Sequence, residues 1–410
     1  MTAPGRHRIA ELPIGRRVAQ LRARRGLTQQ VFADRIGKSH SWVDKVERGI
    51  RSLDRISVVH TVAAVLGVTP EVILGPTTSR PEPTTNTPAA VEHLRAALAR
   101  YDNPTPDQPS SSAEDLHHRI QYAHSAYQHA HYPQLLRMLP DLLTHTRHFA
   151  TGPNPVDEHL LTRVYRLTAH LLTKLDEPHL AWLAAGRAIS TANHHPRHTA
   201  AAAIALTQAL RALHRSTLAI QAALTAVPLI DPAATDDPAP GDHALTGTLL
   251  IEAALAAATG NDPATAHELT DRAGKLAATM SHRQRRPDDS GTPTTAFGPT
   301  AVALARAQVA AALGNPHQAI THHQCATASH GWRELPAEHR AAHLIDITRA
   351  YLDIGDHRAA GRAMVAADQI APAETRTRPI GHTALAAVLR AGPTPADVAR
   401  LAATVGLIRH

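Results

Sequence analysis

Residues 14–49 read IGRRVAQLRARRGLTQQVFADRIGKSHSWVDKVERG, and their apolar spacing and turn residues predict three short helices. Ile14, Val18 and Leu21 recur at i, i+4 and i+7, one face of a helix. Gly26 stops that helix where a left-handed residue is needed, and Thr28 stands as the N-cap of a second. Phe32, Ala33 and Ile36 form the second helix's inner face, and the small Ala33 predicts a close crossing with a third. Gly37 supplies the turn, Ser39 caps the third helix, and Gly49 closes it. Val43 and Val46 then point inward, while His40, Ser41, Asp44 and Lys45 point outward. Further on, Leu53, Ile56, Val59, Val62, Ala63 and Leu66 predict a fourth helix ended by Gly67. Thr69 as N-cap and Pro70 at N1 open a short fifth. Two short helices joined by a tight turn form a helix-turn-helix, which seats its second helix in the DNA major groove. Gly37-Lys38-Ser39 imitates the end of a P-loop, but that motif needs glycine at position 32, which is Phe32, and a preceding strand.

Charge points the same way. The chain has 410 residues and a net charge of +7. Residues 1–75 hold 13 basic and six acidic residues, which accounts for all of it; the remainder balances at 29 of each. The excess is therefore placed where phosphates would be neutralised. Arg16, Arg17, Arg22, Arg24 and Arg25 lie within the first patterned helix and its end.

The segment resembles XRE-type helix-turn-helix domains, the Cro and phage-repressor kind, over about residues 12–75. The specific elements are Leu27-Thr28-Gln29 opening the second helix and Val46-Glu47-Arg48-Gly49 closing the third. The resemblance implies that Gln29 meets a phosphate and that His40, Ser41 and Lys45 face base edges. It also implies an internal ion pair between Arg22 and Glu47. Lys38, Ser39, Trp42 and Arg48 complete the expected DNA-binding set. Trp42 departs from the small or polar residue usual there, with three roles open: packing on the sugar-phosphate backbone, packing on a thymine methyl, or covering the domain surface.

Length predicts two or more domains. Aromatics are only 3% of the chain, so the core is expected from Ala and Leu, which suits close-packed helices better than a large sheet. No 18-residue apolar run could span a bilayer and none resembles a signal peptide. Cys325 is the only cysteine, so no intrachain disulfide forms and a reducing cytoplasm is expected, with nucleoid association when DNA is bound. Four lysines against 38 arginines point to a GC-rich genome of actinobacterial kind. That bias also accounts for the 30 histidines. His117-His118, His194-His195 with His198, and His322-His323 near Cys325 keep no zinc-binding frame, and neither metal nor cofactor is expected.

Residues 76–111 read as a Pro/Thr/Ser-rich linker with a short helix near 91–100. Residues 112–410 then repeat a helix, a Leu-Gly-Asn/Asp-like corner and a second helix. Corners fall at 174–178, 213–216, 259–263, 313–316 and 354–357, and Asp176, Arg215, Asn261, Asn315 and Asp356 align as equivalents. A further unit at 112–150 turns near His131-Tyr132-Pro133. Small residues Ala184, Ala188, Ala266, Ala319, Ala359 and Ala360 allow close helix pairing. The pattern resembles tetratricopeptide (TPR) repeats, which implies an α-hairpin solenoid with a concave groove. The expected fold is therefore all-α: a five-helix head followed by a TPR-like solenoid. First helices would line the groove with Arg163, Arg166, His170, Arg211, Arg306, Arg340, His343 and Arg349, able to clamp a carboxylate or another anion.

An XRE head joined to such repeats resembles peptide-sensing regulators of the RNPP type. The expected function is a transcriptional regulator that reads an inverted-repeat operator as a homodimer. Its repeats would bind a peptide, small-molecule or protein effector, or mediate dimerisation. The alternative is a protein-interaction scaffold with a weak or tethering DNA-binding head. No nucleophile elbow, zincin motif or dinucleotide fingerprint is present, so no enzyme is expected.

Overall fold

The computed structural model describes residues 14–48, 56–68, 73, 87–100, 113–150, 159–192, 195–230, 241–283, 297–392 and 394–408. Among them all regular structure is helical. The chain divides into two compact units, Met1–Thr85 and Asn86–His410.

The first unit contains α1 (Ile14–Arg24), α2 (Gln29–Arg35), α3 (His40–Glu47) and α4 (Ile56–Leu66). Its core is Val18, Leu21, Phe32, Ala33, Ile36, Val43, Val46, Val59, Val62 and Leu66, with Ile73 helical and fully buried. The rest of the fifth helix expected from Thr69 lies outside the described residues. Thr28 accepts from the Val31 N–H and Ser39 from the Trp42 N–H, each at 3.2 Å, so both predicted N-caps form. Gly26 and Gly37 adopt φ 66° and 64°. The following amides, Leu27 and Lys38, reach back to the carbonyls of Arg22 and Ala33. That bond pattern is the Schellman stop. At Gly15 the backbone of α3 comes so close that a Cβ would lie 2.0 Å from the Val46 carbonyl oxygen. Contact at that range lets α1 brace α3 without intervening side chains.

In the second unit, α5 (Thr87–Ala99) buries Leu94 and Leu98 and packs on α7 (Tyr132–Ala150). Arg147 donates to the Ala97 carbonyl at 2.8 Å, and Arg187 to that of Leu98. This helix is thus part of the second unit, and the linker reading of 76–111 does not extend to it: buried leucines outweigh the flanking Pro/Thr composition.

Six helical hairpins follow. They pair α6 (Ala113–Gln128) with α7, α8 (His159–Lys174) with α9 (Pro178–Thr191), and α10 (Pro196–Ala212) with α11 (Ser216–Ala226). The others pair α12 (Asp242–Thr259) with α13 (Pro263–Arg283), α14 (Pro299–Ala312) with α15 (Pro316–Ala328), and α16 (Ala337–Asp353) with α17 (His357–Ile370). Successive first helices touch, from α6 to α8 and on to α16, as in a repeat solenoid. Ala184, Ala188, Ala266, Ala319 and Ala360 are fully buried at the hairpin contacts.

Each corner has one residue in the left-handed region: Ala130, Asp176, His214, Asn261, Gly314 and Gly355. The next helix begins two residues later in all six. The residue between them donates back across the corner, as Glu177 to Leu172 and Asp262 to Ala257, both at 2.9 Å. These positions correct the expected register: His214, Gly314 and Gly355 align with Asp176 and Asn261, not Arg215, Asn315 and Asp356.

The unit ends in α18 (Pro372–Arg376), α19 (Pro379–Ala391) and α20 (Ala396–Val405). Its two ends meet. α6 touches α16, and Lys174, the last residue of α8, reaches Glu338 at 2.7 Å and Glu374 on α18 at 2.9 Å. The fully buried Glu374 also accepts from the Tyr132 hydroxyl and from Arg378.

Candidate nucleic-acid interface

The α2–turn–α3 element is built from the inside outward. Val43 and Val46 anchor α3 in the core, so its other face turns to solvent. His40, Ser41 and Lys45 are exposed on that face. Ser39, also exposed, spends its hydroxyl on the cap. Lys38 sits in the turn, its Nζ 6.0 Å from the Trp42 ring centroid. Trp42 itself is half-buried against the core, so of its three expected roles the surface-covering one matches its packing.

Below this face lies a charge-linked joint. Arg22 grips Glu47 through Nε–Oε1 at 2.6 Å and Nη2–Oε2 at 2.9 Å, and a third donor reaches the Leu27 carbonyl at 2.6 Å. The Gln29 side-chain amide donates to the same Glu47 at 2.8 Å. One buried carboxylate therefore ties the end of α1, the start of α2 and the end of α3 together. Gln29 has one of its two amide hydrogens committed here, and only the other can meet a phosphate. Arg48, expected against DNA, pairs with Asp44 one turn back on the same helix.

The basic charge of α1 is less available than its count implied. Arg17 is buried, donates to the Ile73 carbonyl at 2.9 Å, and has its pKa lowered by that burial. Arg25 caps the Gly67 carbonyl at 3.0 Å. A guanidinium's five donors suit a buried carbonyl as well as a phosphate, and sequence alone does not separate the two uses.

Residues 13–73 match the family described as "Helix-turn-helix domain". The head is a helix-turn-helix domain. No curated protein matches the chain. Among solved structures the chain is similar to PlcR of Bacillus thuringiensis, solved in complex with the peptide PapR7 and DNA. That similarity stands at 14% identity and a TM-score of 0.34, over 66% of this chain and 96% of that one.

The repeat unit distributes its expected groove residues unevenly. His170 bonds Gln208 at 2.8 Å, Gln208 donates to Glu252 at 2.6 Å, and Arg211 pairs with Glu252 at 3.2 Å. Farther along, Gln308 donates to Asp346 at 2.8 Å. First helices thus share one polar inner face. Arg163 and Arg166 lie on it beside His124. Burial, then the like charge of Arg163, lowers the Arg166 pKa to about 10, and its Nε is buried without a hydrogen bond. Burial, then the arginines, lowers His124 to about 3 and His170 to about 4. These imidazoles are neutral at pH 7 and leave the cationic field to the guanidinium groups. Arg340 is half-buried on α16.

Two expected groove residues are elsewhere, and a third is paired along its own helix. His343 is buried and meets His323 at 2.9 Å between α15 and α16. Arg306 turns to Asp271 on α13 at 3.0 Å. Arg349 is exposed and pairs with Asp353 at 2.8 Å. Arg306 and His343 stand out of step with the row of His170, Gln208 and Gln308, whereas Arg349 keeps that row's place six residues before its corner and spends its charge on Asp353. Glu338, Glu374 and Tyr132, which close the unit, carry no local motif.

Proposed function

We propose that the chain is a transcriptional regulator of XRE type that reads an operator with α3. The carrying observation is the exposed row of His40, Ser41 and Lys45 on a helix locked from beneath by Glu47. Lys45 and Ser41 are of the size and chemistry that contact base edges, and Arg24, Lys38 and the free hydrogen of Gln29 supply phosphate contacts. One such head covers little DNA, so we propose a homodimer on an inverted repeat. In this proposal the head runs to about residue 75, and a short connecting stretch leads to a second unit, α5 and the repeats, that senses or assembles. The chain is proposed to act without catalysis, in the cytoplasm and on the nucleoid.

The effector we propose is anionic, and it sits on the inner polar face at Arg163 and Arg166. A buried guanidinium beside a second one costs free energy that a carboxylate or phosphate would offset. Both a peptide carboxylate and a small acid satisfy this chemistry.

Genomic footprinting of the full-length protein tests the head. A protected, sequence-selective inverted repeat is expected. Salt-sensitive binding without preference would instead favour a scaffold whose head only tethers it. Mass analysis of a denaturing extract tests the effector: an acidic molecule should co-purify with the wild type and be lost from Arg166→Met.

A further inference from the structure

We propose that the repeat unit holds a divalent transition-metal site of zinc type, built from His159, His195 and His198. The three imidazoles come from two hairpins. His159 is the first residue of α8, His195 immediately precedes α10, and His198 is in the first turn of α10. One ring nitrogen from each lies within 4.8 Å of the other two. The His159 and His198 rings stack with centroids 3.8 Å apart, and His195 closes the triangle at 4.8 and 4.5 Å.

Three imidazoles so placed match the ligand set of a tetrahedral zinc with one open position. Zn–N bonds of about 2.0–2.1 Å need nitrogens roughly 3.3 Å apart. His195 is exposed and has room to rotate into that spacing, and both partners are half-buried. The neighbouring cation does not compete: Arg197 is drawn to Asp242 at the start of α12 by a 2.6 Å bridge. Protonating all three rings would set positive charges side by side, whereas one metal ion uses three neutral ring nitrogens. In sequence, His195 and His198 form only a His-x-x-His fragment. His159 stands far away, and the hairpin stack brings it to them.

Bound metal would clamp the start of α8 to the start of α10 and leave one position for water or an exogenous ligand. The test uses full-length protein stripped with a chelator and titrated with ZnCl2 and separately with CoCl2. One equivalent per chain is expected, with the intense visible absorption of tetrahedral cobalt and a higher thermal midpoint. Changes to groups outside the coordination sphere cost about 10–100-fold in metal affinity, so losing a ligand should weaken binding at least that much. The double variant His159→Ala/His198→Ala should lose the site, and His317→Ala, an exposed histidine on α15, should keep it. If the double variant unfolds, His195→Ala alone carries the test. Unchanged binding in the folded double variant or in His195→Ala, or no stoichiometric binding by the wild type, overturns the proposal.

Discussion

Glu47 accepts from Arg22 and from Gln29 at once, so its removal is felt on three helices. In Glu47→Ala the Arg22 guanidinium stays partly buried with no carboxylate. The head is expected to lose about 3 kcal/mol, read as an earlier unfolding transition of the first unit. A transition at the wild-type midpoint would show the joint to be dispensable. Lys45 makes the opposite case. It is exposed and holds up nothing, so Lys45→Ala should leave the melting point alone. It should cost about 1–3 kcal/mol of operator binding and relax base preference. Equal selectivity in competition binding would remove Lys45 from the reading set. At this scale the sequence was informative where a residue's role is local. The two N-caps and the outward face of α3 follow from spacing, and the Arg22–Glu47 pair follows from family resemblance. The second partner of Glu47 and the burial of Arg17 were not legible, since both depend on contacts between distant segments.

Among the hairpins, the left-handed corner residue decides where each pair turns. The corners were visible in the sequence, but keying them on the polar residue placed three of five one position late. Asn and Asp both tolerate the left-handed region and serve as helix N-caps, so the two adjacent positions exchange residue types freely. At Gly314 and Gly355 the glycine takes the left-handed position, whereas at Gly260-Asn261 the asparagine does and Gly260 stays at φ −82°. Gly314 at φ 77° would be strained by any side chain, and Gly314→Ala is expected to cost about 1 kcal/mol. His214 at φ 58° already bears that strain on an exposed side chain, and His214→Gly should recover a few tenths of a kcal/mol despite glycine's extra chain entropy. Denaturant midpoints of the two variants should move in opposite directions; movement in the same direction would contradict the corner assignment.

Across the whole second unit, buried titratable groups set an acid limit. Burial pushes the Glu374 carboxyl up, but Lys174 and Arg378 outweigh it and hold the pKa below the ordinary carboxylate value. Its contribution is present above that ordinary value and fades as pH falls through the lowered one. His343, lowered to about 3 by burial and by its histidine neighbours, acts earlier. Between pH 6.5 and 3 the unfolded chain takes up this proton and the folded chain does not. Stability should therefore fall on acidification by about 1.4 kcal/mol per pH unit for each such group. His343→Asn should flatten that slope whatever it does to the midpoint at pH 7. At pH 7, Glu374→Gln keeps the shape but leaves Arg378 without its counter-ion, at an expected cost of about 3 kcal/mol.

The contacts from Lys174 and Tyr132 to Glu374 also change how the repeats depend on one another. A linear array loses its terminal units first, each held by one neighbour only. Here the opening hairpins and the closing segment hold each other, so melting at one is coupled to the other. Deleting the segment after Ile370 should thus weaken the opening hairpins as well as the neighbouring one, and hydrogen exchange should show both stretches opening together.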